Sequence, residues 1–253
     1  MDSTSAHISQ TRPFYADHAE AYDLLITDPV EPWVEAVHER LIARGWSSAA
    51  VLDAGCGTGR HAAALAGKGH RVDLADASAQ LLAQAASRNP SAHAMQVDLC
   101  AFATATRYQA VMCRGVLNDM TTDAERGAVL RAFAGVLVES GIVLLDVRES
   151  EGSRRRADGI PRHRTADLGT RGILHFTNTV TWRAGLIHVV EDYEVRRAGS
   201  PLDHQVFEFT MRPWSAQELS DRLAAAGFGD VIIEPGVGRA TGDRLFVTAE
   251  RGQ

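Results

Sequence analysis

The chain has 253 residues, 45% of them apolar and 23% charged, enough for a full hydrophobic core in one domain with an appendage or in two small domains. A net charge of −6 argues against a protein whose main task is to grip phosphate backbones, so no nucleic-acid partner is expected. The apolar run at 141–145 is far too short to cross a bilayer, the first ten residues lack the apolar centre of a signal peptide, and the three cysteines form no CxxC or Cys/His set; together these predict a cytoplasmic protein with no membrane partner, no disulfide framework and no metal site.

Residues 1–12 read as a loose tail. Phe14, His18, Tyr22 and Leu25 recur at helical spacing and predict one short amphipathic helix over 14–26. A second helix starts at Pro32, buries Trp33, Val37 and Leu41, and stops at Gly45. An alternating core follows. Strands are predicted at 51–53, 71–75, 94–97, 110–113 and 142–147, with helices at 60–66, 79–86 (N-cap Ser78) and 123–138 (capping box Thr122/Glu125) between them. Such alternation indicates βαβ units and a parallel sheet.

The pattern changes near Glu149. Residues 149–170 are rich in Arg and Gly without periodicity and read as an exposed loop; their basic clusters, Arg154–Arg156 and Arg162-His163-Arg164, read as a solvated, mobile loop, with attraction of an anionic substrate or nucleic acid as the alternative. Three segments of β-type alternation, 173–182, 187–196 and 205–211, form an antiparallel meander inserted into the α/β domain. Ser215 then caps a helix ending at Gly227, and strands at 231–234 and 245–249 complete the sheet. The division is an N-terminal helical cap at 1–48, an α/β core at 49–148, a β lid at 149–212 and completion of the core at 213–253.

The chemistry starts at Val51-Leu52-Asp53-Ala54-Gly55-Cys56-Gly57-Thr58-Gly59, a strand ending in a turn with glycine at alternate positions. Three glycines in five residues mark a backbone that turns sharply and lets something approach closely. A dinucleotide fingerprint would place its third glycine where Arg60 stands, and no Gly-Lys-Ser/Thr is present for a P-loop. The spacing Asp53-x-Gly55-x-Gly57-x-Gly59 resembles motif I of class I S-adenosylmethionine-dependent methyltransferases, and residues 50–147 resemble that family well. The resemblance implies a Rossmann-like α/β sheet of seven strands with the last antiparallel, and S-adenosylmethionine as cofactor. It assigns Asp53, Gly55, Gly57 and Gly59 to the amino-acid end of the cofactor, and Asp76 with Ala77, at the end of the second strand, to the ribose; Asp73 is the competing carboxylate. Asp98 and Leu99 are assigned to the adenine, and Cys113 and Arg114 to the cofactor through backbone atoms. Tyr15 and Tyr22 resemble the tyrosines of the helix lying over the cofactor in such enzymes, with Tyr22 near the reacting methyl; buried helix-face residues are the alternative.

After the fourth strand, Asn118 and Asp119 fall where the small-molecule members place a polar residue facing the substrate, and the Asn/Asp-Pro-Pro-aromatic motif of base-amine methyltransferases is absent. Asp119 is the candidate base; His175, His188 and His204 of the meander are weaker ones. Asp146-Val147-Arg148 resembles the glycine N-methyltransferase group and assigns Arg148 to an acidic substrate group, against a structural pairing with Asp146, Glu149 or Asp119. The expectation is methyl transfer to a small molecule, with an amine favoured because no sharply placed base stands out. An oxygen or carbon acceptor, an RNA or protein acceptor, and a non-catalytic binding module remain open, as does a homodimer.

Overall fold

The structure, a computed structural model, describes residues 5–239 and 241–252. The chain opens with α1 (Ser5–Thr11), 3₁₀ turns at Pro13–Tyr15 and Ala19–Ala21, a single turn α2 (Tyr22–Leu25) and α3 (Glu31–Ala43). The alternating core follows as β1 (Ala50–Ala54), α4 (Arg60–Ala66), β2 (Arg71–Asp76), α5 (Ala79–Arg88), β3 (Ala94–Gln96), β4 (Tyr108–Arg114), α6 (Asp123–Val136) and β5 (Leu137–Arg148). Next come α7 (Ser150–Arg156), β6 (Arg162–Asp167), β7 (Ile173–Arg183), β8 (Leu186–Arg196) and β9 (Asp203–Met211). The chain ends with α8 (Ala216–Ala225), β10 (Phe228–Pro235) and β11 (Arg244–Arg251).

Seven strands form one sheet in the order β10-β11-β5-β4-β1-β2-β3. The five from β5 to β3 are parallel, and β11 runs antiparallel to both of its neighbours. Central parallel strands are apolar on both faces because helices cover both. Leu52, Val111, Val143 and Leu145 pack on one side with Phe133 of α6 and Leu219 of α8. Val51, Met112, Ile142 and Leu144 pack on the other with Trp33 and Leu41 of α3 and Leu65 of α4. The strand order reverses between β1 and β4, which opens a crevice at their carboxyl ends where α/β sheets bind ligands. Asp76, Asp98, Arg114 and Arg148, each at or just past the end of a strand, collect along that edge.

The lid is a separate sheet of four strands, β6-β7-β8-β9, rather than three. The expected loop at 149–170 instead forms α7 and β6. Glu149 caps α7 by accepting bonds from the amides of Glu151 and Gly152, and β6 pairs along its length with β7. No apolar alternation marks β6 because Arg162 and Arg164 line a charged cavity where a core strand would carry apolar side chains.

Two expectations for the amino terminus also fail. Residues 5–11 are helical rather than a loose tail: the Ser5 amide donates to Glu125 Oε1 at 3.0 Å, and Ile8 is buried against Ile187, Val189 and Phe209 of the lid. Residues 1–4 of that expected tail lie outside the described residues. The predicted helix over 14–26 breaks into short turns, with Ala16 far from helical dihedrals (φ −120°, ψ −93°). Stacking on the lid outweighs local helix propensity here: Phe14 lies on Phe176 with centroids 5.4 Å apart and planes 9° from parallel, and His18 stacks on Tyr193. The cap and the inner face of the lid therefore share a core of Phe14, Leu25, Leu174, Phe176 and Tyr193.

At the opposite edge of the sheet, the Ala49 amide donates to Nδ1 of the buried His70 at 3.0 Å. His70 Nε2 therefore carries the proton and donates to His38 Nδ1 at 2.9 Å. Burial, then His38 and Lys68, lowers the His70 pKa. With the folded value below the unfolded one, the unfolded chain binds more protons between the two; this contribution to stability is complete above about pH 6.5 and is lost as pH falls towards the folded value. Thermal denaturation at pH 7.5 and 5.5 is expected to show a smaller acid loss for His70→Asn than for the wild type. The variant should also be about 1 kcal/mol less stable at pH 7.5 if the Ala49 acceptor is lost.

Candidate active site

The loop after β1 is held from three sides. The amides of Gly55 and Cys56 donate to Ala75 O at 2.7 and 3.1 Å, and the Gly57 amide donates to Asp76 Oδ2 at 2.8 Å. The other Asp76 oxygen accepts from Ser78 N, also at 2.8 Å. Two of the glycines are demanded by packing: a Cβ on Gly55 would lie 2.3 Å from Val116 Cγ2, and one on Gly59 would lie 2.9 Å from the Cα of Ala85. Gly57 is different. A Cβ there meets only Tyr22 Cε1 at 4.0 Å, so this is the point at which the loop backbone is open to a ligand.

A cleft lies above the loop, at the carboxyl edge where α/β sheets bind ligands. Gly55, Gly57, Asp76, Ala77, Asp98 and Leu99 line it, with Tyr15 and Tyr22 to one side and Ser5, Ala6 and Ser9 of α1 as a roof. Asp76 is 8% exposed, and each of its oxygens keeps acceptor capacity beyond the amide it already holds, as two ribose hydroxyls would need. Asp98 Oδ1 caps the next turn by accepting from Cys100 N at 2.8 Å. Leu81, Val116 and Met120 add apolar lining that the sequence reading did not single out.

Four of the expected site residues line neither this cleft nor the larger cavity beside it. Gly59 acts through its packing on α5. Cys113 is wholly buried within β4, and its place in the wall is taken by Arg114, Gly115 and Val116. Asp53 lies buried beneath the loop; its Oδ2 has no hydrogen-bond partner, and burial followed by repulsion from Asp76 pushes its pKa up to about 7. Asn118 is fully buried and does not face a substrate space. Its Oδ1 accepts from the Arg148 amide at 2.8 Å and its carbonyl accepts from the Arg212 amide at 2.8 Å, so it ties together the ends of β4, β5 and β9.

A second cavity, about 1,610 Å³, opens between the crevice and the lid. Tyr15, Tyr22, Arg114, Gly115 and Asp119 line both spaces and mark their junction. Phe176, Val189, Phe209 and Met211 supply the apolar wall of the lid. Eight arginines line this cavity against four acids, Asp28, Asp119, Glu191 and Asp243. Arg148 pairs with Asp243 at 2.7 Å, not with Asp146, Glu149 or Asp119, and still reaches the cavity; Arg156 approaches the same carboxylate at 3.5 Å. Arg239 and Arg244 share the fully buried Asp146 at 3.0 and 2.8 Å. Burial and neighbouring arginines push Arg244 down to about 9 and Arg114 down to about 10. Arg12 forms two bonds to the buried Glu191, donates to the Tyr15 hydroxyl at 2.6 Å and stacks over the Tyr15 ring at 4.4 Å. Asp119 is 8% exposed, and burial raises its pKa to about 6 against the pull of Arg12, Arg148 and Arg244. His175, His188 and His204 are absent from both linings among the described residues, which leaves Asp119 as the base candidate.

Residues 51–141 match the family model described as a methyltransferase domain. The matched stretch, from β1 into β5, is the methyltransferase-like part of the chain. Along 149 residues it is 33% identical to a dTDP-3-amino-3,6-dideoxy-alpha-D-glucopyranose N,N-dimethyltransferase of Streptomyces fradiae, a stretch covering 56% of this chain and 58% of that relative. Two solved structures resemble this chain in fold over most of its length. The sugar N-methyltransferase KedS8 from a Streptoalloteichus species has a TM-score of 0.80 at 22% identity, covering 92% of this chain and 93% of its own. Streptomyces venezuelae DesVI has a TM-score of 0.77 at 22% identity, covering 94% and 99%.

The open backbone at Gly57 and the spare acceptor capacity of Asp76 and Asp98 fit S-adenosylmethionine, which carries no phosphate for the loop to hold. Asp76→Ala is expected to weaken binding of S-adenosylhomocysteine by calorimetry at least ~10-fold, the scale of one lost charge-assisted hydrogen bond, with circular dichroism retained. Wild-type affinity would remove Asp76 from the ribose site.

Proposed function

We propose that this methyltransferase transfers a methyl group from S-adenosylmethionine to the amine of a sugar-type small molecule that carries an anionic group of the nucleoside-diphosphate class. The observation that carries the reading is Asp119, a buried carboxylate at the junction of the cleft over the glycine loop and an arginine-lined cavity under the lid. The amino-sugar substrate of the Streptomyces fradiae relative agrees with both halves of it. The arginines that line the cavity under the lid favour an enclosed anion over a nucleic-acid duplex.

The cofactor supplies an electrophilic methyl group, so the protein's task is to align, deprotonate and exclude water. Alignment of the reactants contributes up to about 7–11 kcal/mol. An alkylammonium must lose its proton before it can attack, and Asp119 is placed to accept it. The arginine wall holds the acceptor by its anionic end, leaving the amine to face Asp119. Residues of α1 cover the cofactor side and the lid covers the acceptor side, keeping bulk water from the junction.

A labelled methyl-transfer assay on matched aminosugar and hydroxysugar nucleotides is expected to label the amine alone. Asp119→Asn is expected to lower kcat about 10²–10⁴-fold, the usual contribution of a general base. The base works as the carboxylate, so wild-type kcat should fall as pH drops below about 6 and the variant should lose that limb. A variant with wild-type kcat and pH profile would take Asp119 out of the reaction.

A further inference from the structure

Arg114 is the one cation among the described residues lining the cofactor cleft. It ends β4, and because Met112 pairs with Asp53 in the parallel ladder, Arg114 stands two residues further on, beside Gly55. The resemblance gives this position only a backbone contact, whereas the structure sets Arg114 in the lining of both cavities.

That guanidinium is undersatisfied. Its Nη2 donates to Gly238 O at 2.8 Å, but its Nε is buried without a partner. Neighbouring cations are saturated: Arg239 holds Asp28 and Asp146, and Arg244 holds Asp146. A buried, charged N–H left unpaired is costly, and its natural complement is an anionic oxygen. Asp53, buried beneath the loop and outside the cleft lining, is close enough to Arg114 for their charges to interact but offers the ligand no contact. A guanidinium with an unfilled donor at the loop end of the cleft matches the carboxylate of an amino acid, while Asp76 and Asp98 provide acceptors for hydroxyls and an amine elsewhere in the lining.

We propose that the Arg114 side chain binds the carboxylate at the amino-acid end of the cofactor and so fixes which way round the cofactor lies. The assignment rests on the reading of this cleft as a site for S-adenosylmethionine. It makes Arg114 selective for one part of the ligand, and that part can be removed chemically.

Calorimetry with S-adenosylhomocysteine and with 5′-methylthioadenosine, which keeps the adenosine and thioether but lacks the amino-acid end, separates the outcomes. For Arg114→Met the expected result is a Kd for S-adenosylhomocysteine raised 10- to 100-fold and a Kd for methylthioadenosine within twofold of wild type, with Arg114→Lys recovering part of the loss. Unchanged affinity for S-adenosylhomocysteine overturns the assignment, and so does an equal loss for both nucleosides. A wild-type protein that binds neither nucleoside overturns the cofactor reading and this assignment with it.

Discussion

The acceptor side of the molecule depends on a carboxylate that water cannot reach. Asp146 is fully buried near the end of β5, and a lone charge there would be untenable without close, hydrogen-bonded partners. Arg239 supplies one from the connection between β10 and β11, and Arg244 the other from the first position of β11. The same interaction therefore docks the carboxyl-terminal hairpin onto β5 and draws two guanidinium groups to the crevice. Gly115 makes room: its amide donates to Asp146 O at 2.9 Å, and a Cβ there would stand 2.8 Å from Arg239 Nη2. Topology and cavity charge are two results of one ion cluster.

That arrangement explains which parts of the protein could be read from residues alone. The cofactor side is written locally, in glycines whose conformations are set within the loop and in acids that close successive strands. Asp76, Asp98 and Gly57 needed only the order of the strands to be placed together. The acceptor side is written in pairs distant in sequence. Arg148 and Asp243 are 95 positions apart, and Arg12 and Glu191 are 179 apart, so neither pairing has a local signature. Asn118 shows the opposite failure. A polar residue at the right distance after β4 looked like a substrate contact, but its amide is consumed by the backbone of β5.

The elements missed were those whose stability is tertiary. The α1 helix has no acidic residue in its first turn and no basic residue in its last, and it is held by Glu125 and by apolar contacts with the lid. The β6 strand hides because its inward face is charged rather than apolar. Both belong to the parts that close the site, where polar function displaces the periodicity that betrays a core element. The expected helix over 14–26 erred the other way: its spacing was real, but the aromatic side chains that produced it stack on the lid instead of continuing a helix.

Arg12 links the two spaces. It follows directly on the helix that roofs the cofactor, touches the phenol at the junction, and is fastened to the floor of the lid through Glu191. One side chain thus ties the helix that lines the cofactor cleft to the lid that lines the neighbouring cavity, and a displacement of either acts on the other through the Arg12–Glu191 pair.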